Sequence, residues 1–171
     1  AIKTSTPAPC RKMLKDAFKI LMSGTEEECI EYIEKCRKEF KSLPPEEVSF
    51  PRTASNVEKW HSSADLYGKG CPIHIRGAIL YNHWTKKKDI DHKYATIQNG
   101  EKIKFCYLKT PNWMHENVIS FIQDFPTELD LDKHVDYDLQ FSKAFLDPIK
   151  VILDCIGWET ERKNTLESFF S

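Results

Sequence analysis

The chain has 171 residues, 40% of them hydrophobic, 30% charged and 12% aromatic, which suits one packed core and excludes disordered, collagen-like and low-complexity chains. Its 25 Lys and Arg nearly cancel 26 Asp and Glu, for a formal net charge of −1, so bulk charge advertises neither nucleic acid nor membrane. Any such surface must arise locally. No segment approaches the ~18 consecutive apolar residues of a membrane span, and residues 1–11 lack the apolar stretch of a signal peptide. Cys10, Cys29, Cys36, Cys71, Cys106 and Cys155 form no Cys-x-x-Cys pair, which points to a reducing, cytoplasmic setting with no disulfide framework. The chain begins with Ala, not Met, as a processed chain or an excised fragment would.

In chain order, Thr6 and Pro7 stand as N-cap and first residue of a helix whose Met13, Leu14, Ala17, Phe18 and Leu21 recur at helical spacing until Gly24. Thr25 and Glu28 make a capping box for a second helix, with Ile30, Ile33, Cys36 and Phe40 as one apolar stripe that packs back on the first. Residues 46–52 read as a short extended segment, since Val48 and Phe50 alternate and Pro51 discourages a long central strand. A linker-like stretch with a short helical piece at residues 57–60 leads to Gly68-Lys69-Gly70, and Pro72 opens a third helix reaching about residue 84 to 86. On that helix His74, Gly77, Ala78 and Tyr81 form a shallow trough between Ile75 with Ile79 and Ile73 with Leu80. Gly inside a helix costs about 1 kcal/mol relative to Ala, so a close neighbour is expected at Gly77, either another helix or a nucleic-acid backbone.

Beyond Asn99-Gly100 the period changes to two, with Ile103, Phe105 and Tyr107 alternating against Lys102, Lys104 and Cys106 as a strand, and residues 117–121 supply its antiparallel partner. The last third is helical, from Val135 through Leu139, Phe141, Phe145 and Leu146 to Ile156 and Gly157, with Asp147-Pro148 as a cap and restart. The expected class is α+β, predominantly helical with a small antiparallel β insertion. Its regions are a helical base at 1–45, a central helix at 71–86, a β subdomain at 97–122, C-terminal helices at 134–157 and a tail at 160–171.

Charge along this map is uneven: residues 83–109 hold seven Lys against three acids, and residues 124–154 hold eight acids against three Lys. A basic strand and helix end suit phosphates, although a run such as Lys86-Lys87-Lys88 also suits plain solvation. Catalytic signatures are missing: the sequence holds no phosphate-binding glycine loop, no nucleophile elbow and no metalloprotease helix. Cys71 and His74 lack a second pair at zinc-site spacing. Asp130, Asp132, Asp136 and Asp138 crowd a helix N-terminus, where the dipole favours them without a metal.

Three segments together resemble the thumb, the C-terminal part, of a family B replicative DNA polymerase of the T-even phage type. They are Gly68-Lys69-Gly70-Cys71-Pro72-Ile73-His74-Ile75-Arg76-Gly77 with Ala78 to Asn82, then Gly100-Glu101-Lys102-Ile103, and then the series His134, Asp136, Tyr137, Phe141, Lys143, Phe145 and Pro148 leading to Leu166-Glu167-Ser168-Phe169-Phe170. The resemblance implies a chain that grips the primer–template duplex through phosphates and the minor groove, with Lys69, His74, Arg76, Lys102, Lys104 and Lys143 as the contacts and no base readout. Arg76, Lys102 and Lys143 are then expected on one concave positive surface. Where the family often carries a Lys before the last proline, this chain has Asp147, so a cationic contact is missing or supplied elsewhere; a helix cap is the alternative role for Asp147.

Leu166, Phe169 and Phe170 resemble a sliding-clamp-binding peptide, with Lys163 where such peptides often carry Gln; the alternative is that these side chains fold back on the body. The catalytic palm and its magnesium-binding aspartates have no counterpart here. The resemblance therefore implies a chain that is inactive alone, carries no cofactor, and partners duplex DNA, the palm and exonuclease portion of a polymerase and the clamp, in the cytoplasm of a bacterial host. An apolar seam for the palm is expected at residues 2–18. The competing reading is a replisome protein-interaction module with no direct DNA contact.

Overall fold

The computed structural model describes residues 2–62 and 65–162. It is α+β: α1 (Ala8–Ser23), α2 (Glu26–Lys41), α3 (Pro45–Val48), β1 (Phe50–Thr53), α4 (Ile73–Lys87), β2 (Lys102–Tyr107), β3 (Val118–Phe121), α5 (Tyr137–Phe141), a π turn (Ser142–Leu146) and α6 (Asp147–Ile156). Short 3-10 turns lie at Val57–Trp60, Thr127–Leu129 and Asp132–His134. No described helix is long and apolar enough to cross a membrane.

Only the N-cap half of the expected capping box forms: the Glu28 backbone N–H donates to the Thr25 hydroxyl at 3.3 Å, and Glu26, Glu27 and Glu28 fill the first turn. For α1 the cap shifts by one residue: Pro7 holds the N-cap, with no side-chain cap bond. Helices α1 and α2 then pack through Cys10, Leu14 and Ala17 against Cys29, Ile33 and Cys36, all nearly inaccessible to water. Burial pushes the Cys10 thiol up to about 12 and the Cys36 thiol up to about 11, so these are core residues and not nucleophiles.

The segment expected to be extended is a helical turn in its first half. Pro45 begins α3, Glu46 and Glu47 occupy its first turn, and the Ser49 hydroxyl donates to the Pro45 carbonyl at 2.6 Å. Only Phe50–Thr53 is a strand, and it joins the sheet expected from residues 97–122 alone. The sheet has three antiparallel strands in the order β1-β2-β3, with Phe50 opposite Phe105 and Phe105 opposite Ser120.

Helix α4 lies across β3, so the stripe expected to form a shallow trough is the seam between them: Ala78 and Tyr81 are buried. At Gly77 the close neighbour is neither a helix nor a nucleic acid but strand β3. A Cβ there would lie 2.4 Å from Ser120 Oγ and 2.8 Å from the Ser120 backbone nitrogen, and the same Ser120 hydroxyl donates to the His74 carbonyl at 2.8 Å.

Buried Gln140 ties the last helices to this layer. Its Nε2 donates to the Val48 carbonyl at 2.7 Å, and its Oε1 accepts from the Tyr107 backbone N–H at 2.8 Å. At Asp147-Pro148 the chain does not restart. Leu146 and Asp147 keep helical dihedrals, the π turn runs into α6, and Asp147 makes no cap bond; widening the turn before Pro148 accommodates a residue without an N–H. Asp136 is the cap in this region, accepting from the Leu139 backbone N–H at 3.1 Å, which gives that carboxylate a helix-terminal role. After Gly157, in the left-handed conformation, Arg162 reaches back to Glu27 at 3.3 Å and Glu34 at 3.2 Å on α2.

A candidate nucleic-acid interface

β1 is an edge strand, and the pleat turns Phe50 and Arg52 to the face that also carries Ile103, Phe105 and Tyr107. On that face cations lie against rings. The Arg52 guanidinium sits 5.2 Å from the Phe105 ring centre and 5.9 Å from that of Phe50, and Lys143 Nζ sits 5.3 Å from that of Tyr107. Arg52 is further fixed by donating from Nη1 to the Pro51 carbonyl at 2.8 Å and the Ser5 carbonyl at 3.3 Å.

Two grooves meet at Arg52. One, of about 550 Å³, runs between the segment at residues 2–6, α1, the π turn and α6, with Lys3, Arg52, Lys143 and Asp147 as its charged lining. The other, of about 540 Å³, lies over Pro51, Thr53, Ile103 and Ile122 with Arg52, Lys102 and Lys104 as its charged lining and no acid. Lys104 is partly engaged, donating to the Glu46 carbonyl at 2.9 Å. Lys102 and Lys143 are exposed.

The remaining expected contacts fall elsewhere. Arg76 lines neither groove: its Nη1 is 3.2 Å from Glu116 Oε2, and its guanidinium lies over the Tyr67 ring while Tyr67 donates to Glu116 Oε1 at 2.6 Å. Arg76, Lys102 and Lys143 therefore do not line one groove, and the cation that joins the grooves of Lys102 and Lys143 is Arg52. Lys69 is exposed on the turn before α4. His74, half-buried beside Phe105, has its imidazole pulled below the ordinary value of 6.5, first by burial and then by the Arg52 charge, against a backbone bond at Thr53. At neutral pH it offers a hydrogen bond and not a charge. Leu166, Phe169 and Phe170, the expected clamp peptide, lie outside the described residues.

Sequence reasoning missed Arg52. The signal available was its place after Pro51 on a strand that proline confines to a sheet edge, where a long cation stays accessible.

No protein-family model matches the chain. It is 24% identical over 172 residues to the DNA-directed DNA polymerase of Enterobacteria phage T4, a match covering 98% of this chain and 19% of that protein. It is 28% identical over 174 residues to the DNA-directed DNA polymerase of Escherichia phage RB69, again covering 98% and 19%. The chain thus spans about a fifth of the length of these relatives, and almost all of it is similar to a stretch of a T-even-type phage polymerase.

Proposed function

We propose that this chain is the DNA-holding thumb of a family B DNA polymerase, gripping primer–template duplex without carrying the chemistry of nucleotide addition. The observation that carries the reading is the cationic strip Lys143–Arg52–Lys102–Lys104 across two grooves that share Arg52; the similarity to two phage polymerases supplies its setting. A polymerase must hold any sequence and still slide, which calls for phosphate contacts and not base readout. Arg52 and Lys143, held over aromatic rings, give up less side-chain freedom on meeting a phosphate than free cations would. His74 beside Arg52 adds a neutral hydrogen-bonding group, Lys69 stands outside the strip, and Arg76 serves by holding Glu116 beside Tyr67. The palm, its magnesium ions and the exonuclease belong to the remainder of the polymerase, and Leu166, Phe169 and Phe170 tether the chain to a sliding clamp.

Fluorescence anisotropy of a labelled primer–template duplex over a salt series tests this. Four phosphate contacts give a slope of log affinity against log salt of about −3 to −4, or roughly a hundredfold loss between 50 and 200 mM. Binding that is absent at low salt, or that ignores salt, refutes the proposal. Nucleotide incorporation by the purified chain refutes its non-catalytic half.

A further inference from the structure

The groove on the α1–α6 side has a character that phosphate binding does not use. Its floor is apolar, built from Ile2, Leu14, Phe18 and Ile152, while its charged lining is three cations against the single carboxylate of Asp147. Ile152 is 38% exposed, and one turn along the same face of α6 Ile156 is 48% exposed, so the apolar floor runs on past the groove onto open helix surface. The rings beneath Arg52 are poorly placed to stack on bases, because Phe50 and Phe105 are 7% and 2% exposed.

We propose that this groove docks an acidic peptide of a partner protein, a segment in which bulky apolar side chains alternate with carboxylates. The apolar side chains enter between Phe18 and Ile152, and the carboxylates meet Lys3, Arg52 and Lys143. A volume of about 550 Å³ holds a few side chains and no folded element, so the occupant is an extended segment or a single helical turn. Charge complementarity selects its sign: an acidic segment satisfies three cations, whereas a basic one meets them like to like. The inference has two links to the DNA-holding reading: the floor lies within the seam at residues 2–18 expected for the palm, so the peptide docks only where a palm does not cover it, and peptide and duplex both use Arg52 and Lys143, so bound peptide and bound duplex exclude each other.

The probe is a short labelled peptide with one Phe and one Leu flanked by Asp and Glu, titrated into the full chain by anisotropy. Saturable binding is expected that weakens about tenfold or more in Ile152→Glu, in Lys143→Glu and when the Phe and Leu of the peptide are replaced by Ser. Ile152 is partly exposed, so its variant is expected to keep the parent's thermal midpoint; a Phe18→Ser variant, expected to weaken peptide binding equally, supplies a second reading from the floor. Lys102→Glu, outside this groove, is expected to weaken duplex binding and leave the peptide unaffected, and Ile152→Ser, which removes an apolar contact without adding charge beside Lys143, to weaken the peptide and leave the duplex unaffected, which separates failure here from failure of the DNA-holding reading. Equal affinity for the Ser-substituted peptide makes the groove a general anion site and overturns the proposal. A single-stranded oligonucleotide whose binding is lost in Ile152→Ser makes the apolar floor a base-binding site, and tighter peptide binding after deletion of residues 163–171 makes that segment the occupant; either result also overturns it.

Discussion

Replacing Gly77 with Ala tests the closest approach in the fold. The new Cβ meets Ser120 Oγ at 2.4 Å, the Ser120 nitrogen at 2.8 Å and the Ile119 carbonyl carbon at 3.0 Å. The hydroxyl can rotate away, at the loss of its bond to the His74 carbonyl, worth about 1 kcal/mol. The backbone atoms cannot move alone, so α4 and β3 must part by about half an ångström to reach ordinary contact, in a layer where Ile75, Ala78, Ile79, Leu80 and Tyr81 are at most 1% exposed. Overpacking of this kind costs about 1–3 kcal/mol. Against these terms stands a helix-propensity gain of about 1 kcal/mol for Ala over Gly. The expected net effect is a destabilisation of about 1–3 kcal/mol, read as a lower urea midpoint at unchanged slope, with Trp84 on α4 as one of the fluorescent reporters. Adding Ser120→Ala recovers only part of the loss, because the Ser120 nitrogen stays where it is. An unchanged or raised midpoint for Gly77→Ala refutes the packing argument.

Three further outcomes follow from the same geometry. Gln140→Leu strands the buried Tyr107 N–H and the Val48 carbonyl, at roughly 1–3 kcal/mol for each group, and a urea midpoint equal to the parent's contradicts the bridging role. Arg76→Gln lowers stability by breaking a pair whose side chains are 22% and 18% exposed, while the salt slope of duplex binding stays at the parent value; a slope shallower by one makes Arg76 a phosphate contact instead. Because the His74 and His83 imidazoles are both held below 6.5 in the folded chain, mainly by burial, the unfolded chain takes up protons first on acidification. Stability therefore falls as pH drops from 7 through 6.5 toward 5, and His74→Gln makes that fall shallower in urea melts across the range; a fall of the same steepness in the variant contradicts the assignment.

Elements whose stabilising partners lie nearby in sequence are readable from the chain itself. The Thr25 N-cap, the α1–α2 pairing, the strand after Asn99-Gly100 and its partner at Val118–Phe121 each follow from periodicity and turn chemistry within about 20 residues. What escaped depends on distant partners. Phe50–Thr53 becomes a sheet strand only through Lys102–Phe105, and nothing local distinguishes that pairing from an isolated extended segment. The spacing of α4 singled out Gly77 as crowded but left its neighbour open, since Ser120 lies far along the chain. The family resemblance placed Arg76 with Lys102 and Lys143; Glu116, 40 residues away in sequence, pairs with it instead. Arg52 was passed over because its importance comes from two grooves meeting, a property of the surface and not of a motif. The Asp147-Pro148 step reads locally as a break, and the π turn before it lets the helix continue.

The central claim is that Arg52 joins the two grooves into one phosphate-holding strip. Its most direct test is the salt slope of primer–template binding for Arg52→Gln beside the parent chain, at equal thermal midpoints. The account predicts a slope shallower by about one and weaker binding to every duplex sequence alike. An unchanged slope, with affinity intact, would contradict it.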